Sequence, residues 1–323
     1  MRFIPILLGL CFFTATTWAQ TQPVTLEIAP KNDSIKVVKS PWTKKNVVGF
    51  DMSEIAFVNW NAGGNSAISG LLRGTFTRDY KLDNEKWFNE LIVRYGISKQ
   101  DGVELRKTDD DLQFNSTYGV RKDSLSPWYY SAKFNFRTQF TNGYAYPNTT
   151  ISISESLAPA YTFLGIGSEY NNKEKNMQLY FSPLTMKNTL VLNQRLANQG
   201  AFGVRRAVYD PVTNELLRKG ALSRTELGIL VMTGFKKEVF TNIKLDNRLS
   251  LYTDYLHKFG NIDVDWQMQW EFIVNKYVRA NFNTHIIYDD DIQAKDEVNG
   301  AQVSIGPRIQ LKQMLGVGVT YLF

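Results

Sequence analysis

Residues 128–140, WYYSAKFNFRTQF, alternate strictly between two kinds of side chain. The even positions are nearly all aromatic or apolar, whereas the odd positions include Lys133, Asn135 and Arg137. Successive side chains of a β-strand point to opposite faces, so a period of two predicts a strand with one apolar and one polar face. The same alternation recurs in residues 262–275.

Ten further stretches alternate more weakly, which makes twelve predicted strands in all. The ten cover residues 47–58, 67–80, 87–99, 111–121, 158–170, 177–187, 224–236, 243–256, 278–289 and 303–323. Many of the twelve are longer than the five or six residues usual in globular sheets, and about ten tilted residues span an outer membrane. We therefore predict an all-β fold, a closed antiparallel transmembrane β-barrel of about twelve strands over residues 46–323.

Two further patterns favour a membrane barrel over a soluble sandwich. Aromatic residues fall toward strand ends on the apolar faces, where a membrane interface would place them: Trp87, Tyr95, Trp128, Tyr130, Trp266, Tyr288 and Tyr321. Short connections also alternate with long ones, the long ones being residues 141–157, 188–223 and 290–302. This alternation predicts that both barrel termini and the short turns are periplasmic and that the long connections are external.

Composition and the first residues predict export. The chain has 323 residues, 43% of them hydrophobic, one cysteine and a formal net charge of +6, too diffuse to indicate nucleic-acid binding. A single cysteine excludes a disulfide scaffold. Arg2, the apolar run 4–13 and the small residue Ala19 predict a signal peptide over residues 1–19. Residues 20–45 are polar and aperiodic, which predicts a periplasmic extension, flexible or folded into the lumen as a plug.

The carboxy-terminal residues add a clue to biogenesis. From Leu315 to Phe323 every second residue is apolar, and the last is aromatic. This ending resembles the signal that the outer-membrane barrel assembly machinery recognises. The expected partners are therefore that machinery, outer-membrane lipid and lipopolysaccharide, and the expected location is the outer membrane of a Gram-negative cell.

Several short phrases, taken in order, resemble one protein family. They are NWNAGG at 59–64, FRTQF at 136–140, LAPAY at 157–161, SPLT at 182–185, GAFG at 200–203, NKY at 275–277, YDDD at 288–291 and GPR at 306–308. They are similar to an outer-membrane β-barrel family of Bacteroidetes known only as a domain of unknown function, over residues 42–323. The resemblance implies the barrel fold and supplies no catalytic or binding residues.

The polar face of the strands indicates what the lumen holds. The candidate lumen-lining residues carry both signs of charge: Glu90, Arg94, Lys133, Arg137, Arg248, Glu271, Arg279 and His285. Charges in a closed interior must face water or pair with one another. The favoured interpretation is a narrow pore for small solutes, and the alternative is a filled barrel that acts through its external loops.

Two other kinds of site have weaker signals. Two acidic runs, Asp109, Asp110 and Asp111 and then Asp289, Asp290 and Asp291, could offer oxygen ligands to calcium, although neither has the spacing of a calcium loop. A rim hydrolase would use His257 with Asp254, Asp263 and Asp265, but an Asp-x-x-His spacing sends the two side chains to opposite faces of a regular strand. We expect no cofactor and no enzymatic activity.

Overall fold

The structure, a computed structural model, describes residues 40–56, 65–172, 174, 176–257, 259–298 and 301–323, and the side chains of 293–305 are not described. Residues Ser40–Phe323 form one compact unit. The predicted signal peptide and most of the predicted extension lie outside the described residues. Among the described residues, no helix is both long and apolar enough to cross a membrane.

Strands dominate the part of the chain that the structure describes. In chain order they are β1 (Trp42–Ile55), β2 (Ala67–Leu82), β3 (Glu85–Gln100), β4 (Arg106–Val120), β5 (Trp128–Thr138), β6 (Gly143–Tyr144), β7 (Ser152–Ser154), β8 (Ala160–Asn172), β9 (Met177–Leu190), β10 (Val208–Tyr209), β11 (Leu216–Arg218), β12 (Ser223–Phe240), β13 (Ile243–Asp254), β14 (Asp263–Ile273), β15 (Val278–Tyr288), β16 (Gln293–Val298), β17 (Ala301–Pro307) and β18 (Gln310–Leu322). One short helix, α1 (Gln194–Asn198), and one 3₁₀ turn (Ala201–Gly203) lie between β9 and β10.

Twelve of these strands close into a barrel in the order β1-β18-β15-β14-β13-β12-β9-β8-β5-β4-β3-β2. Each neighbouring pair is antiparallel, and β1 pairs with both β2 and β18, which completes the ring. The predicted all-β, twelve-stranded closed barrel is therefore confirmed. We call the end that holds Trp42 and Phe323 the terminal end, and the opposite end, where the long connections lie, the loop end.

Two of the differences between predicted and observed strand boundaries have a clear physical reason or consequence. The last predicted strand, residues 303–323, is wrong as one element, because residues up to Pro307 pair with β16 in a hairpin and β18 starts only at Gln310. Gly306 has a positive φ of 88°, and Pro307 has no N–H. One continuous strand with an unbroken ladder of backbone hydrogen bonds therefore cannot run through these two residues. The predicted first strand starts at residue 47 and the predicted barrel at residue 46, whereas β1 starts at Trp42, which pairs with Tyr80 of β2.

The outer face of the barrel is apolar and carries aromatic rings at the terminal end. Outward residues such as Phe50, Leu164 and Val317 are exposed. At the terminal end the rings form neighbouring pairs, with centroid distances of 5.2 Å for Trp42–Tyr80, 5.9 Å for Trp42–Trp87, 5.0 Å for Trp128–Tyr170 and 5.6 Å for Tyr321–Phe323. Such a belt beside an exposed apolar band is typical of a membrane barrel.

The two long connections after β5 and β9 fold together at the loop end. Their apolar core consists of Ala158, Val191, Leu196, Ala197 and Val204, all buried. The amide of Leu192 donates to the carbonyl of Leu157 at 3.1 Å, which joins the two connections. The loop end therefore carries an ordered module with its own small core.

Candidate functional site: the lumen and its loop-end mouth

Of the ion pairs that join non-neighbouring strands among the described residues, two connect the most widely separated walls of the barrel. Arg248 lies on β13 and Glu90 on β3, directly opposite in the strand order, and their Nη1 and Oε2 atoms are 3.1 Å apart. Nearer the loop end, Nη1 of Arg137 on β5 lies 3.3 Å from Oδ2 of Asp265 on β14. Strand alternation points all four side chains inward, and the closed ring then brings opposite charges together.

Each crossing pair is anchored by further contacts on its own wall. Arg248 also binds Asp246 at 3.1 Å, and Glu90 accepts a hydrogen bond from the amide of Asn115 at 3.1 Å. Such anchors matter because a partly buried ion pair offsets its desolvation cost only when its remaining donors and acceptors are also bonded. The crossing is thus part of a network rather than a chance approach of two long side chains.

An apolar cluster fills one side of the lumen. The side chains of Tyr180, Leu230 and Tyr252 are only 2–3% exposed and pack with Phe163 and Met232 on β8, β9, β12 and β13. Sequence reasoning missed this cluster because the inward face was expected to be polar. The sequence feature that could have indicated the cluster is the run LGILVM at 227–232. A strand that is apolar on both faces shows continuous rather than alternating apolar residues.

The remaining predicted lumen residues also have partners inside the barrel. Arg94 lies 2.9 Å from Asp109, Arg279 lies 2.9 Å from Glu271, and Nε2 of His285 lies 3.1 Å from Asp265. The ammonium of Lys133 lies 4.8 Å from the centre of the Tyr180 ring. All eight candidate lumen residues thus face the interior, and each contacts an opposite charge or an aromatic ring.

The first acidic run is bound by cations. Asp109 contacts Lys312 at 2.6 Å in addition to Arg94, and Asp110 contacts Lys107 at 2.9 Å. Asp111 contacts Nε of Arg137 at 2.8 Å. Because protein cations already neutralise these carboxylates, the geometry does not favour the predicted calcium site here.

One acid of the second run, Asp289, contacts a buried lysine. Nζ of Lys187 lies 2.6 Å from Asp263 and 3.2 Å from Asp289. Within the described residues, Asp263, Asp289 and Asp290 form one group whose carboxylate oxygens are close enough to share a metal ion. The ammonium of Lys187 already contacts two of these three acids, Asp290 accepts a hydrogen bond from the side-chain amide of Asn261 at 2.6 Å, and Asp291 binds Arg224 at 2.6 Å.

The expected separation of Asp254 and His257 is wrong. Nδ1 of His257 lies 2.7 Å from Oδ2 of Asp254, because β13 ends at Asp254 and the chain bends before the histidine. The two acids that would complete a hydrolytic site are bound elsewhere, Asp263 by Lys187 and Asp265 by Arg137. Neither of the two acids that the predicted site needs beside Asp254 and His257 is therefore free to position water.

A cavity of about 350 Å³ opens at the loop end above the Arg137–Asp265 pair. Its walls come from β4, β5, β15 and β18 and include all three acids of the first run, Arg137, His285 and Lys312. Polar groups therefore dominate the inner mouth of the barrel.

Comparisons with known proteins agree with this description in part. Residues 52–144 match the family described as "Protein of unknown function (DUF3078)", which is less than half of the chain. This confirms in part the resemblance to a family of unknown function. No curated protein has a significantly similar sequence.

Solved outer-membrane barrels show a weak structural likeness. An outer membrane channel from Pseudomonas putida F1 is 10% identical with a TM-score of 0.40, and the alignment covers 92% of this chain and 100% of that one. The translocator domain of autotransporter NalP from Neisseria meningitidis is 10% identical with a TM-score of 0.36, covering 89% and 90%. Likeness at this level does not transfer a function to this chain.

Proposed function

We propose that this chain is an integral outer-membrane barrel whose lumen is closed by its own side chains and whose activity resides at the loop end. The observation that carries this proposal is the pair of crossings, Arg248–Glu90 and Arg137–Asp265, between distant walls. The luminal apolar cluster around Tyr180 supports it, because packed apolar side chains exclude water from that side.

The membrane location is supported by the outer surface. A continuous apolar face with an aromatic belt at one end is costly in water and stable in a bilayer. We place the terminal end in the periplasm, because short turns lie there in bacterial barrels. The exposed, stacked Tyr321 and Phe323 at the end of β18 fit the proposed recognition by the assembly machinery.

A small-solute pore that opens on demand is the second candidate. The observation that favours it is that barrel side chains make both crossings, so the pairs can separate without unfolding a strand. A hydrolase is not favoured, because Asp263 and Asp265 are both bound by cations.

Single-channel conductance of the refolded barrel in a planar bilayer tests the proposal. We expect no steady current from the wild type. The double variant Arg137→Ala/Arg248→Ala should conduct, because it removes both crossings. Arg279→Ala is the matched control, since its pair with Glu271 joins neighbouring strands and does not cross the lumen.

Two outcomes would contradict the closed-lumen proposal. Steady wild-type current with defined ion selectivity would show that the path is open despite the crossings. Equal current from Arg279→Ala and the double variant would show that the crossings are not what closes the lumen. Circular dichroism must first show that all three proteins are folded barrels.

A further inference from the structure

The loop-end cavity presents cations to solvent and hides its carboxylates. The side chains of Asp109, Asp110 and Asp111 are 2–6% exposed. Their partners Arg94, Lys107, Arg137 and Lys312 are 16–37% exposed. A ligand entering from the loop end therefore meets the nitrogen atoms of these four basic side chains before it meets the oxygen atoms of the three acids.

The carboxylate of Asp110 already accepts several hydrogen bonds, whereas the ammonium of Lys312 still has N–H donors to offer. Asp110 accepts from the amides of Phe140 and Thr141, the hydroxyl of Thr141 and the ammonium of Lys107. Lys312 has three N–H donors, and its one described partner is Asp109 at 2.6 Å. The cavity can thus offer new donors without breaking the bonds of Asp110.

Lys312 is the cation that can turn toward a ligand at least cost. It is the most exposed of the four basic side chains. Its carboxylate partner Asp109 is also held by Arg94 at 2.9 Å and by the amide of Asp110 at 3.0 Å. If the ammonium of Lys312 turns into the cavity, Asp109 therefore keeps one cation and is not left as a buried unpaired charge.

We propose that this cavity binds the oxyanion group of a small solute, a carboxylate or a phosphate, with Lys312 as the principal contact and Arg137 and Lys107 beside it. Charge-assisted hydrogen bonds from basic side chains to such oxygens are among the strongest in proteins. The volume of about 350 Å³ lies at the lower end of the range for small-molecule sites, which fits a solute of a few carbon atoms. This inference names a ligand class for the proposed loop-end function and therefore rests on it.

Isothermal titration calorimetry on the full chain, refolded in detergent at low ionic strength, tests this site. The probes are sodium succinate and inorganic phosphate, each measured against sodium chloride. We expect saturable binding of at least one oxyanion to the wild type. Lys312→Met should weaken it about tenfold or more, since one charge-assisted contact is lost.

Two further variants make the result specific. Lys276→Met removes the same charge from an exposed turn at the terminal end and should leave binding unchanged. Lys312→Arg keeps a cation in place and should retain most of the affinity, which separates loss of the contact from damage to the fold. Binding of succinate alone or of phosphate alone supports the site and identifies the class of solute.

The proposal is overturned by three results. These are no oxyanion binding to the folded wild type, an equal loss in Lys312→Met and Lys276→Met, or saturable binding of calcium chloride in place of either oxyanion. None of these depends on conductance, because binding is measured in detergent without a bilayer. A conducting wild type with oxyanion binding would therefore reject the closed lumen and keep this site.

Discussion

At the scale of single residues, the inward charges of this barrel act as pairs and small networks. Lys187 is the clearest case, because its ammonium lies 2.6, 3.2 and 3.7 Å from Asp263, Asp289 and Glu226. Its side chain is nearly buried. Removing one member of such a network leaves carboxylates that repel one another where water cannot fully screen them.

Lys187→Met should therefore destabilise the barrel strongly, by about 3–5 kcal/mol, the usual cost of breaking a buried ion pair. Lys236→Met is the matched control, because Lys236 pairs with Asp246 at 2.9 Å but is largely exposed. Removing this exposed ion pair should lower the free energy of unfolding by about 1 kcal/mol or less. Urea unfolding in lipid vesicles measures both, and equal midpoints would contradict the role given to Lys187.

Glu155 should make the loop-end module sensitive to acid. Hydrogen bonds from the Ser152 hydroxyl and the Asn193 amide, with Arg195 nearby, hold the pKa of Glu155 below its usual value of 4.5. A lowered pKa means that the contribution to stability is complete above the usual value and is lost as pH falls through the lower, folded-state value. The module should thus loosen in that acidic range and not near neutral pH.

Hydrogen exchange at the Leu192 amide, corrected for the intrinsic rate, measures this effect, because that amide joins the two connections. Protection should fall in acid for the wild type. In the Glu155→Gln variant, protection of the Leu192 amide should be lower at neutral pH and should no longer depend on pH in this range. An identical pH profile in the two proteins would show that Glu155 does not control the module.

At the scale of elements, glycines let strands and bulges approach closely. The β8–β9 pairing shifts register between Ile166 and Ser168, and a Cβ built on Gly167 would lie 2.0 Å from the carbonyl oxygen of Phe181. Gly234 on β12 is different, because a Cβ there would meet its nearest atom, the carbonyl oxygen of Asn247, at 3.4 Å. The bulge therefore requires glycine, and the regular ladder does not.

Gly167→Ala should destabilise the barrel by about 1–3 kcal/mol, as overpacking usually does. Gly234→Ala should be close to neutral, since 3.4 Å is nearly an ordinary contact. The midpoint of urea unfolding for each variant measures the difference. A Gly167→Ala barrel as stable as Gly234→Ala would mean that the bulge shifts without cost.

At the scale of the whole molecule, the ring of strands sorts side chains between an apolar outer face and the lumen. Val317 on β18 faces outward in the apolar band, and Leu125 lies in the turn between β4 and β5 and is 93% exposed. The same substitution at these two positions distinguishes a lipid-facing site from a water-facing one.

Val317→Arg should cost about 2–4 kcal/mol in lipid vesicles, the range for arginine near the middle of a bilayer, and Leu125→Arg about 1 kcal/mol or less. Reversible urea unfolding from vesicles gives both values. Equal and small effects would contradict the membrane position of the outer face, because arginine on a water-facing surface carries no such cost.

A period of two is a local property of the chain, and for that reason alternation alone predicted twelve strands with one apolar face each. It did not predict the break before β18, since apolar residues at Val303, Ile305, Ile309 and Leu311 keep alternating across Gly306 and Pro307, where the ladder is interrupted. The eight lumen candidates were chosen for the same local reason, and their role as a pore lining stays a prediction.

How those inner residues pair depends on the tertiary structure. Arg248 and Glu90 are 158 positions apart in the chain, and nothing in either strand indicates the other as its partner. Their meeting depends on ring closure, barrel diameter and the relative stagger of opposite strands, which are properties of all twelve strands together. Ring closure also explains why the acidic run that starts at Asp109, a candidate cation site in the sequence, is buried. Basic side chains on β3, β5 and β18 lie against it in the closed barrel.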